Sequence, residues 1–332
     1  MWRTWRDAME IALYGDGGFY RNAVPRSDHF RTSVHTSLRF ADAVVKILTR
    51  IDGELRSPAR LDFVDVGAGG GELVEAVWRL APTELRDRLV LTAVEVGDRP
   101  SGLTEAARWR SEIPMSIRGL LFANEWLDNV PVDVVVRTPD GPRLVLVDPA
   151  GRERCSADLV DGEWLDTWWP LSTVDDRAEV GRTRDVAWAC AVRRLAAGAA
   201  IAVDYGHVRS ARPSAGTLTG YRQGRQVIPV PDGRTDITAH VAIDACAEAG
   251  MRAVPGSVEV ATQREVLRSL GCDGRRPALD CARTDQVGYL GRLRAASEEA
   301  ELIDPAGLGG YFWLIHSVGI CSPVSLHGTI RQ

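Results

Sequence analysis

A glycine-rich turn in residues 61–73, LDFVDVGAGGGEL, gathers side chains that could bind a small ligand. An apolar run leads directly into Gly67, Gly69 and Gly71. Asp65 stands just before these glycines and Glu72 just after them. Glycines let the backbone approach a ligand closely, and carboxylates favour a positively charged group. The turn therefore predicts a site for a ligand that carries positive charge.

Two common phosphate-binding turns are excluded by the residue at position 72. A P-loop needs Gly-Lys followed by Ser or Thr, but Gly71 is followed by Glu72. A dinucleotide-binding turn, GxGxxG, needs a glycine five positions after Gly67, and that position is again Glu72. A carboxylate in the first turn of the next helix would also repel a pyrophosphate. Neither a nucleoside triphosphate nor a dinucleotide suits this turn.

The pattern that remains, acidic-x-Gly-x-Gly-x-Gly, resembles motif I of class I S-adenosylmethionine (SAM) methyltransferases. SAM has no phosphate and carries an ammonium and a sulfonium, so carboxylates suit it better than lysines. Asp65 can take the ammonium, directly or through water, and the backbone around Ala68 turns against the methionine portion. Glu95, at the end of the second predicted strand, can accept both ribose hydroxyls. The structural alternatives are a strand-to-helix turn without a ligand and a solvated Glu95.

Polar groups at the end of the third predicted strand could face the departing methyl group. The segment ANEWLDNVP puts Asn124 and Glu125 where the strand leaves the sheet, with Asp128 close behind. Burial of such groups costs free energy unless they are hydrogen-bonded or used. If the methyl acceptor is a guanidinium, Glu125 and Asp128 can hold it by paired hydrogen bonds. If it is a hydroxyl or carboxyl group, His240 is the candidate base. A loop cap formed by Asn124 is the structural alternative.

A parallel sheet is needed to bring these side chains together. Apolar runs and helical spacing alternate along the first half of the chain, which predicts an α/β, Rossmann-like methyltransferase sheet with helices on both faces. The pattern then changes to an antiparallel hairpin around residues 139–141. The predicted strands are 61–66, 89–96, 119–126, 199–206 and 311–320, and the predicted helices are 2–14, 36–51 (with Leu38, Ala41, Val45 and Leu48 on one face), 72–80, 102–110, 175–197, 239–249 and 262–270.

The same pattern suggests how the chain is divided. We expect an N-terminal helical cap over residues 1–55 and a methyltransferase domain over residues 56–332. The hairpin is expected to decorate the sheet, as part of an insertion at about 131–175, and substrate-side additions are expected at about 207–300.

The composition of the chain limits the classes of partner and the cellular compartment that we expect. The formal charge of the 332 residues is only −5, without long runs of one sign, so neither nucleic acid nor an anionic membrane is an expected partner. The six cysteines form no CxxC pair, which favours reduced thiols in a cytoplasm. No signal-peptide pattern and no apolar run of 18 residues is found. Lys46 is the only lysine, which is typical of a GC-rich bacterial genome.

A series of eight segments resembles, in order, the motifs of the MidA family of SAM-dependent methyltransferases. That family includes the mitochondrial complex I assembly factor that methylates arginine. The resemblance covers about residues 14–320, and NE-x-LD-x-xP and DYG are its more specific parts. The segments are GFYRNAVPRSDHFRTS, FVDVGAGGGEL, LLFANEWLDNVPV, IAVDYG, GTLTGYR, DITAHV, TQREVLRSLG and LIDPAGLGGYFWLI.

The resemblance implies roles for particular residues. Contacts with SAM are implied for Asp65, Gly67, Gly69, Gly71 and Glu95, and a methyl-transfer pocket for Asn124, Glu125 and Asp128. A second wall is implied for Asp204 and Tyr205, with Thr32, Ser33, Asp236, Thr238 and His240 along the same cleft. The chain departs from the family at Val34, where proline is usual, and at Val96, where Ser-Pro usually follows the glutamate. These departures concern the substrate more than the cofactor.

The sequence thus predicts an enzyme that transfers a methyl group from S-adenosyl-L-methionine and releases S-adenosyl-L-homocysteine, without a metal. The acceptor is expected to be a protein arginine, or else a peptide or a small natural product. In-line SN2 transfer of the methyl group from the sulfonium requires mainly that the protein set the approach of the two reactants. The alternative from another class is a SAM-binding assembly factor with little or no methyl transfer. A homodimer is left open.

Overall fold

A computed structural model describes residues 1–21, 37–160 and 162–324 of the chain. Its strands are β1 (Arg3–Thr4), β2 (Leu61–Val66), β3 (Leu89–Val94), β4 (Ala107–Arg110), β5 (Ile117–Asn124), β6 (Asp133–Thr138), β7 (Gly141–Val147), β8 (Glu153–Leu159), β9 (Arg177–Val180), β10 (Leu195–Asp204), β11 (Gly206–His207), β12 (Thr219–Arg222), β13 (Arg225–Val227), β14 (Asp236–Thr238), β15 (Val241–Ala242), β16 (Ser257–Thr262) and β17 (Phe312–Val318). Its helices are α1 (Trp5–Met9), which runs into a π-helical turn (Glu10–Tyr14), α2 (Leu38–Glu54), α3 (Glu72–Leu80), α4 (Thr83–Arg86), α5 (Glu163–Trp168), α6 (Arg182–Val192), α7 (Ile243–Ala253), α8 (Gln263–Ser269), α9 (Cys281–Thr284) and α10 (Gln286–Leu302).

Seven strands form the central sheet, in the order β16, β17, β10, β5, β2, β3, β4. Strands β10, β5, β2, β3 and β4 are parallel, and β17 runs antiparallel to both of its neighbours. Residues of α2, α3 and α8 belong to the core on one face, whereas residues of α6 and α7 belong to the core on the other face. The predicted Rossmann-like sheet with helices on both faces is confirmed.

The central strands form because their sequences are apolar on both faces. All six residues of β2 are buried, and so are the last seven residues of β10. Such strands suit a parallel sheet that is covered on both sides. In α2, Ala41, Val45 and Leu48 face the core as predicted, but Leu38 is 61% exposed because it is the first residue of the helix.

The helix predicted at residues 102–110 is wrong. Residues 107–110 form the edge strand β4, which pairs with β3 alone. Ala107 is buried and Trp109 half-buried against the core, while Arg108 and Arg110 are exposed. This two-residue period is that of a strand with one covered face, and it overrides the helix propensity of the alanines and arginines.

The predicted hairpin exists as β6 and β7, but it does not join the central sheet. It lies in a second sheet of order β1, β7, β6, β9, with β8 also paired to β7. The first residues of the chain complete this sheet, since Arg3 pairs with Val147. Trp5 and Leu13 then pack against its buried face. Residues 1–20 therefore pack on the second sheet, while α2 packs on the central one.

No helix in the described ranges is long and apolar enough to cross a lipid bilayer.

Two facing glycines set how closely three central strands approach one another. Gly119 of β5 has φ +149° and lies opposite Asp62 of β2, and Gly198 of β10, with φ +127°, lies opposite Gly119. A Cβ added at Gly119 would stand 2.1 Å from the carbonyl oxygen of Asp62.

We therefore expect Gly119→Ala to lower the free energy of unfolding by roughly 2–4 kcal/mol, because the strand must shift and its backbone is strained. Gly53→Ala is the matched control: it lies in α2 with open space around the added Cβ, and should gain about 0.5–1 kcal/mol. Urea unfolding followed by circular dichroism measures both. Equal effects at the two glycines would contradict this account of the sheet.

Candidate active site

One cavity of about 410 Å³ opens at the carboxyl ends of the parallel strands β2, β3, β5 and β10. Ligands of open α/β sheets bind at this edge. The cavity is lined by residues 65–70, 72, 73, 94–96, 111, 113, 124–126, 128, 129, 205, 221, 236 and 311, together with Tyr14 and Tyr20 from the start of the chain.

The glycine turn forms the floor of the cavity. Gly67, Gly69 and Gly71 all have positive φ, at +70°, +60° and +83°, a region that side chains with a Cβ rarely adopt. A Cβ at Gly71 would stand 2.7 Å from the side chain of Leu103. The amides of Gly67 and Ala68 donate to the carbonyl of Val94 at 3.0 and 3.2 Å, which ties the turn to the end of β3.

The carboxylates predicted around the turn are brought together as a negatively charged end of the cavity. Asp65 is 3% exposed, and burial, with the nearby charges of Glu72 and Glu95, raises its pKa well above the usual range. Glu95 accepts from the amide of Gly69 at 2.9 Å and from that of Val96 at 2.8 Å. A cationic ligand would relieve the repulsion among these carboxylates.

Asn124 ends β5, and Glu125 follows it in a strained conformation. Glu125 has φ +50°, which is uncommon outside glycine, and its amide donates to the carbonyl of Val203 at 2.8 Å. The Asn124 amide donates to the Glu125 carboxylate at 3.2 Å, while Asn124 Oδ1 is buried without a hydrogen-bond partner among the described residues. Strained residues with unsatisfied polar atoms are typical of functional sites.

Asp128 is a buried carboxyl on the wall of the cavity. The hydroxyls of Tyr205 and Thr238 both donate to its Oδ2, the latter at 2.7 Å. Its Oδ1 is buried and has no partner in the described part of the chain. Burial is the largest influence on this carboxyl and raises its pKa. Asp128 therefore accepts a proton more readily than an exposed aspartate would.

Asp204 lies behind this wall rather than on it. It is fully buried and does not line the cavity. Its Oδ2 accepts from the amide of Leu127 at 2.9 Å, so it fixes the backbone that presents Asp128. Burial and the charges of Asp128 and Glu125 raise the pKa of Asp204 well above its usual range. The tyrosine that follows it, Tyr205, does line the cavity.

Of the other predicted site residues, some line the cavity and some do not. His240 is exposed, does not line the cavity, and contacts it only through Tyr205, whose ring lies edge-on at 5.1 Å. Thr238 is buried behind Asp128, whereas Asp236 lines the cavity. Thr32 and Ser33 lie outside the described residues.

Aromatic side chains form much of the cavity wall, and of its tyrosines the sequence predicted only Tyr205. Five of the six tyrosines in the chain line it. Tyr20 donates to Asp236 Oδ1 at 2.8 Å, and Tyr14 stacks on Tyr20 with ring centres 5.6 Å apart. Asn129 also donates to Asp236 Oδ1, at 3.1 Å. The tyrosines are Tyr14, Tyr20, Tyr205, Tyr221 and Tyr311.

Comparison with known families identifies the chain. Residues 41–258, about two thirds of it, match the sequence model of a family described as "Putative S-adenosyl-L-methionine-dependent methyltransferase". The chain belongs to this family. It is a methyltransferase that uses S-adenosyl-L-methionine as its cofactor. The matched segment contains the glycine turn, Glu95 and residues 124–128.

Solved structures share the fold of this methyltransferase. A COG1565 superfamily member from Burkholderia thailandensis, with S-adenosyl-homocysteine bound, is 23% identical, with a TM-score of 0.79 over 96% of this chain and 89% of its own. A native structure of an uncharacterized COG1565 superfamily protein from Burkholderia thailandensis is 24% identical, with a TM-score of 0.80 over 99% of this chain and 91% of its own. No curated protein sequence matches the chain.

The buried Asp65 carboxylate should destabilise the ligand-free methyltransferase. Its pKa in the folded state is raised above that in the unfolded state, so its cost to stability grows as pH rises above about 3.9. We expect Asp65→Asn to raise Tm by about 2 °C or more at pH 8, and by less at pH 5. Differential scanning calorimetry at both pH values measures this.

Asp62, three residues earlier on the same strand, provides the control. It pairs with Arg60 at 2.8 Å and accepts from the amide of Arg118 at 3.0 Å, so Asp62→Asn should lower Tm. A fall in Tm on Asp65→Asn, or a rise that is the same at both pH values, would contradict the destabilising effect assigned to the buried carboxylate of Asp65.

Proposed function

We propose that this methyltransferase transfers the methyl group to a guanidinium nitrogen of an arginine in a protein, as its resemblance to the MidA family implies. One observation carries this proposal. Beyond the glycine turn, the cavity is lined by the carboxylates of Glu125, Asp128 and Asp236 and by five tyrosines. Carboxylates hold a guanidinium by paired hydrogen bonds, and aromatic faces stack on its plane.

The residues of the turn fit the donor. Asp65, whose carboxyl group is buried and lines the cavity beside the turn, is suited to the ammonium of the methionine portion. Glu95 is held by two backbone amides at the end of β3, where it can accept from the ribose hydroxyls. Val96, Ser111 and Ile113 line the adjoining wall and suit the adenine, which needs an apolar slot with few polar groups.

Bound SAM supplies a methyl group on a sulfonium. A nitrogen lone pair can attack the methyl carbon, and S-adenosyl-L-homocysteine leaves. The role of the chain is then to orient the acceptor nitrogen. Glu125, whose strained backbone and bond to Asn124 fix its position, would hold the guanidinium and localise a lone pair on the attacking nitrogen. As the N–CH3 bond forms and the S–CH3 bond breaks, the nitrogen loses a proton. Asp128 is suited to receive it because burial raises its pKa.

A hydroxyl or carboxyl acceptor receives less support. The base that the sequence predicted for such an acceptor, His240, does not line the cavity. A peptide or small natural product with a guanidinium or amine remains compatible with the same wall.

We further propose that the enzyme is bacterial and lies in the cytoplasm. Cys155, Cys190 and Cys321 are exposed free thiols, which suits a reducing compartment. We likewise propose that the N-terminal cap ends at residue 55 and that residues from about 131 to 175 form an insertion in the methyltransferase domain.

Glu125→Gln tests the proposed role of this carboxylate. The substitution keeps the size of the side chain but removes its charge, so label transfer from radioactive SAM to proteins of a cell lysate should fall about 100-fold or more. Affinity for S-adenosyl-L-homocysteine, measured by calorimetry, should change less than about threefold, because Asp65 and Glu95 are intact. The exposed Glu105→Gln is the matched control and should keep full transfer.

The outcomes of these measurements distinguish the proposed methyl transfer from its alternatives. Undiminished transfer by Glu125→Gln would remove the role assigned to this residue. Wild-type protein that binds SAM but labels nothing would favour the assembly factor without methyl transfer. No binding of SAM at sub-millimolar concentration would overturn the cofactor site itself. Mass spectrometry of the labelled product should show methylarginine, and a methyl group on oxygen would contradict the acceptor.

A further inference from the structure

A second groove, of about 370 Å³, lies on the sheet face that carries α6 and α7. The groove arises from the link between β4 and β5. These strands are parallel, and β4 lies at the edge of the sheet whereas β5 lies in its centre. The chain must cross this face to connect them, and it does so with the six residues 111–116, without a helix. Ile113 packs on the core of this face, but a single extended segment covers it incompletely. The groove is the space that a crossover helix would fill.

Arginines from different elements line this groove. Arg108 and Arg110 stand on the same face of β4, opposite Thr92 and Val94 of β3, and both are exposed. Arg194, just before β10, reaches the segment 111–116, where its guanidinium contacts the sulfur of Met115. Arg60 joins them but is paired with Asp62 at 2.8 Å.

The charge of the groove is not balanced from within. Within residues 1–21, 37–160 and 162–324, no carboxylate forms an ion pair with Arg108, Arg110 or Arg194. Four guanidinium groups and the two carboxylates of Asp62 and Glu112 line the groove, a formal excess of two positive charges. The chain as a whole carries −5, so the patch is opposite in sign to the protein around it. Such a patch favours an anionic partner.

The groove is continuous with the cofactor cavity. Ser111 and Ile113 line both, so the segment 111–116 has the donor on one side and the groove on the other. A chain bound in the groove would therefore lie beside the cavity in which methyl transfer is proposed.

We propose that the arginine groove binds an acidic segment of the methyl-acceptor protein, with two carboxylates paired to Arg108 and Arg110. This rests on the proposed function in taking the acceptor to be a protein. Arginine binds carboxylates in a planar, two-bond geometry, so the two arginine side chains on this face of β4 can each hold one carboxylate. Charged residues also protect an edge strand from aggregation, but that does not require Arg194 to converge from another element.

A peptide suits the groove better than a nucleic acid. Asp62 and Glu112 stand among the arginines and would repel a continuous row of phosphates. A peptide can place its carboxylates at the arginines and neutral residues opposite these acids.

The test is fluorescence anisotropy with a fluorescein-labelled peptide of alternating glutamate and alanine, six residues long, and the full-length protein at about 50 mM salt, where surface charges are weakly screened. The double variant Arg108→Gln/Arg110→Gln should bind the peptide about tenfold or more weakly than wild type, because two charged hydrogen-bonding groups are lost. Arg275→Gln/Arg276→Gln removes an equally exposed pair far from the groove in sequence and should bind as wild type does. Calorimetry with S-adenosyl-L-homocysteine should give an unchanged affinity for all three proteins, which also shows that they are folded.

Three outcomes would contradict the role proposed for the groove. The first is a wild type that binds S-adenosyl-L-homocysteine but not the peptide, which would leave the proposed function standing. The second is an equal loss of peptide affinity in the two double variants. The third is a single-stranded oligonucleotide of equal charge that displaces the peptide and binds more tightly, which would assign the groove to nucleic acid. Loss of S-adenosyl-L-homocysteine binding by the wild type would instead contradict the cofactor site.

Discussion

The wall of the cavity that we propose for the acceptor depends on a buried cation, the guanidinium of Arg184 in α6. Arg184 is 1% exposed and donates to the carbonyl oxygens of Asp128 at 2.6 Å, Val130 at 3.2 Å and His240 at 2.9 Å. It thereby joins the loop after β5 to the loop after β14. Its charge also opposes the rise that burial causes in the pKa of Asp128 and of Asp204. Two carboxyls can be buried side by side because this guanidinium is buried with them.

This constraint explains why the wall of the cavity can be built from polar groups. A buried charge without a partner would be very costly, so Asp128, Asp204 and Arg184 must be assembled together. Asp204 then fixes the amide of Leu127, and Tyr205 and Thr238 hold Asp128. The proposed donor side is different, since the charges of Glu72 and Glu95 add to the burial that raises the pKa of Asp65.

The glycine turn could be recognised from the sequence because its signal is local. A buried strand followed by spaced glycines occupies a dozen consecutive residues, and the structure places Asp65, Glu95 and the turn in one cavity. The acceptor side draws on residues 14, 20, 221, 236 and 311, which only tertiary packing brings together. Tyr20, Tyr221 and Tyr311 stand in segments that carried the family resemblance, yet nothing in their spacing indicated a shared wall. Arg184 had no signal, because an arginine in a helix is usually exposed.

The same limit explains the errors in the fold. Residues 102–110 are rich in helix formers, and only the pairing with β3 makes their end a strand. The helix predicted at 175–197 begins instead with strand β9, which the second sheet recruits, and β16 and α10 were not anticipated. In each case the partner lies far away in the sequence.

The π-helical turn at Glu10–Tyr14 has a consequence for how the catalytic fold could diversify. It presents Tyr14 to the cavity from the first residues of the chain, and Tyr311 reaches it from near the other end. Both lie outside residues 41–258, the segment that matches the family. The middle of the chain thus carries the glycine turn and the carboxylates of the cavity, while segments on either side of it add three aromatic rings, those of Tyr14, Tyr20 and Tyr311. A lineage could alter the aromatic part of the cavity by remodelling these flanking segments and leave the carboxylates in place.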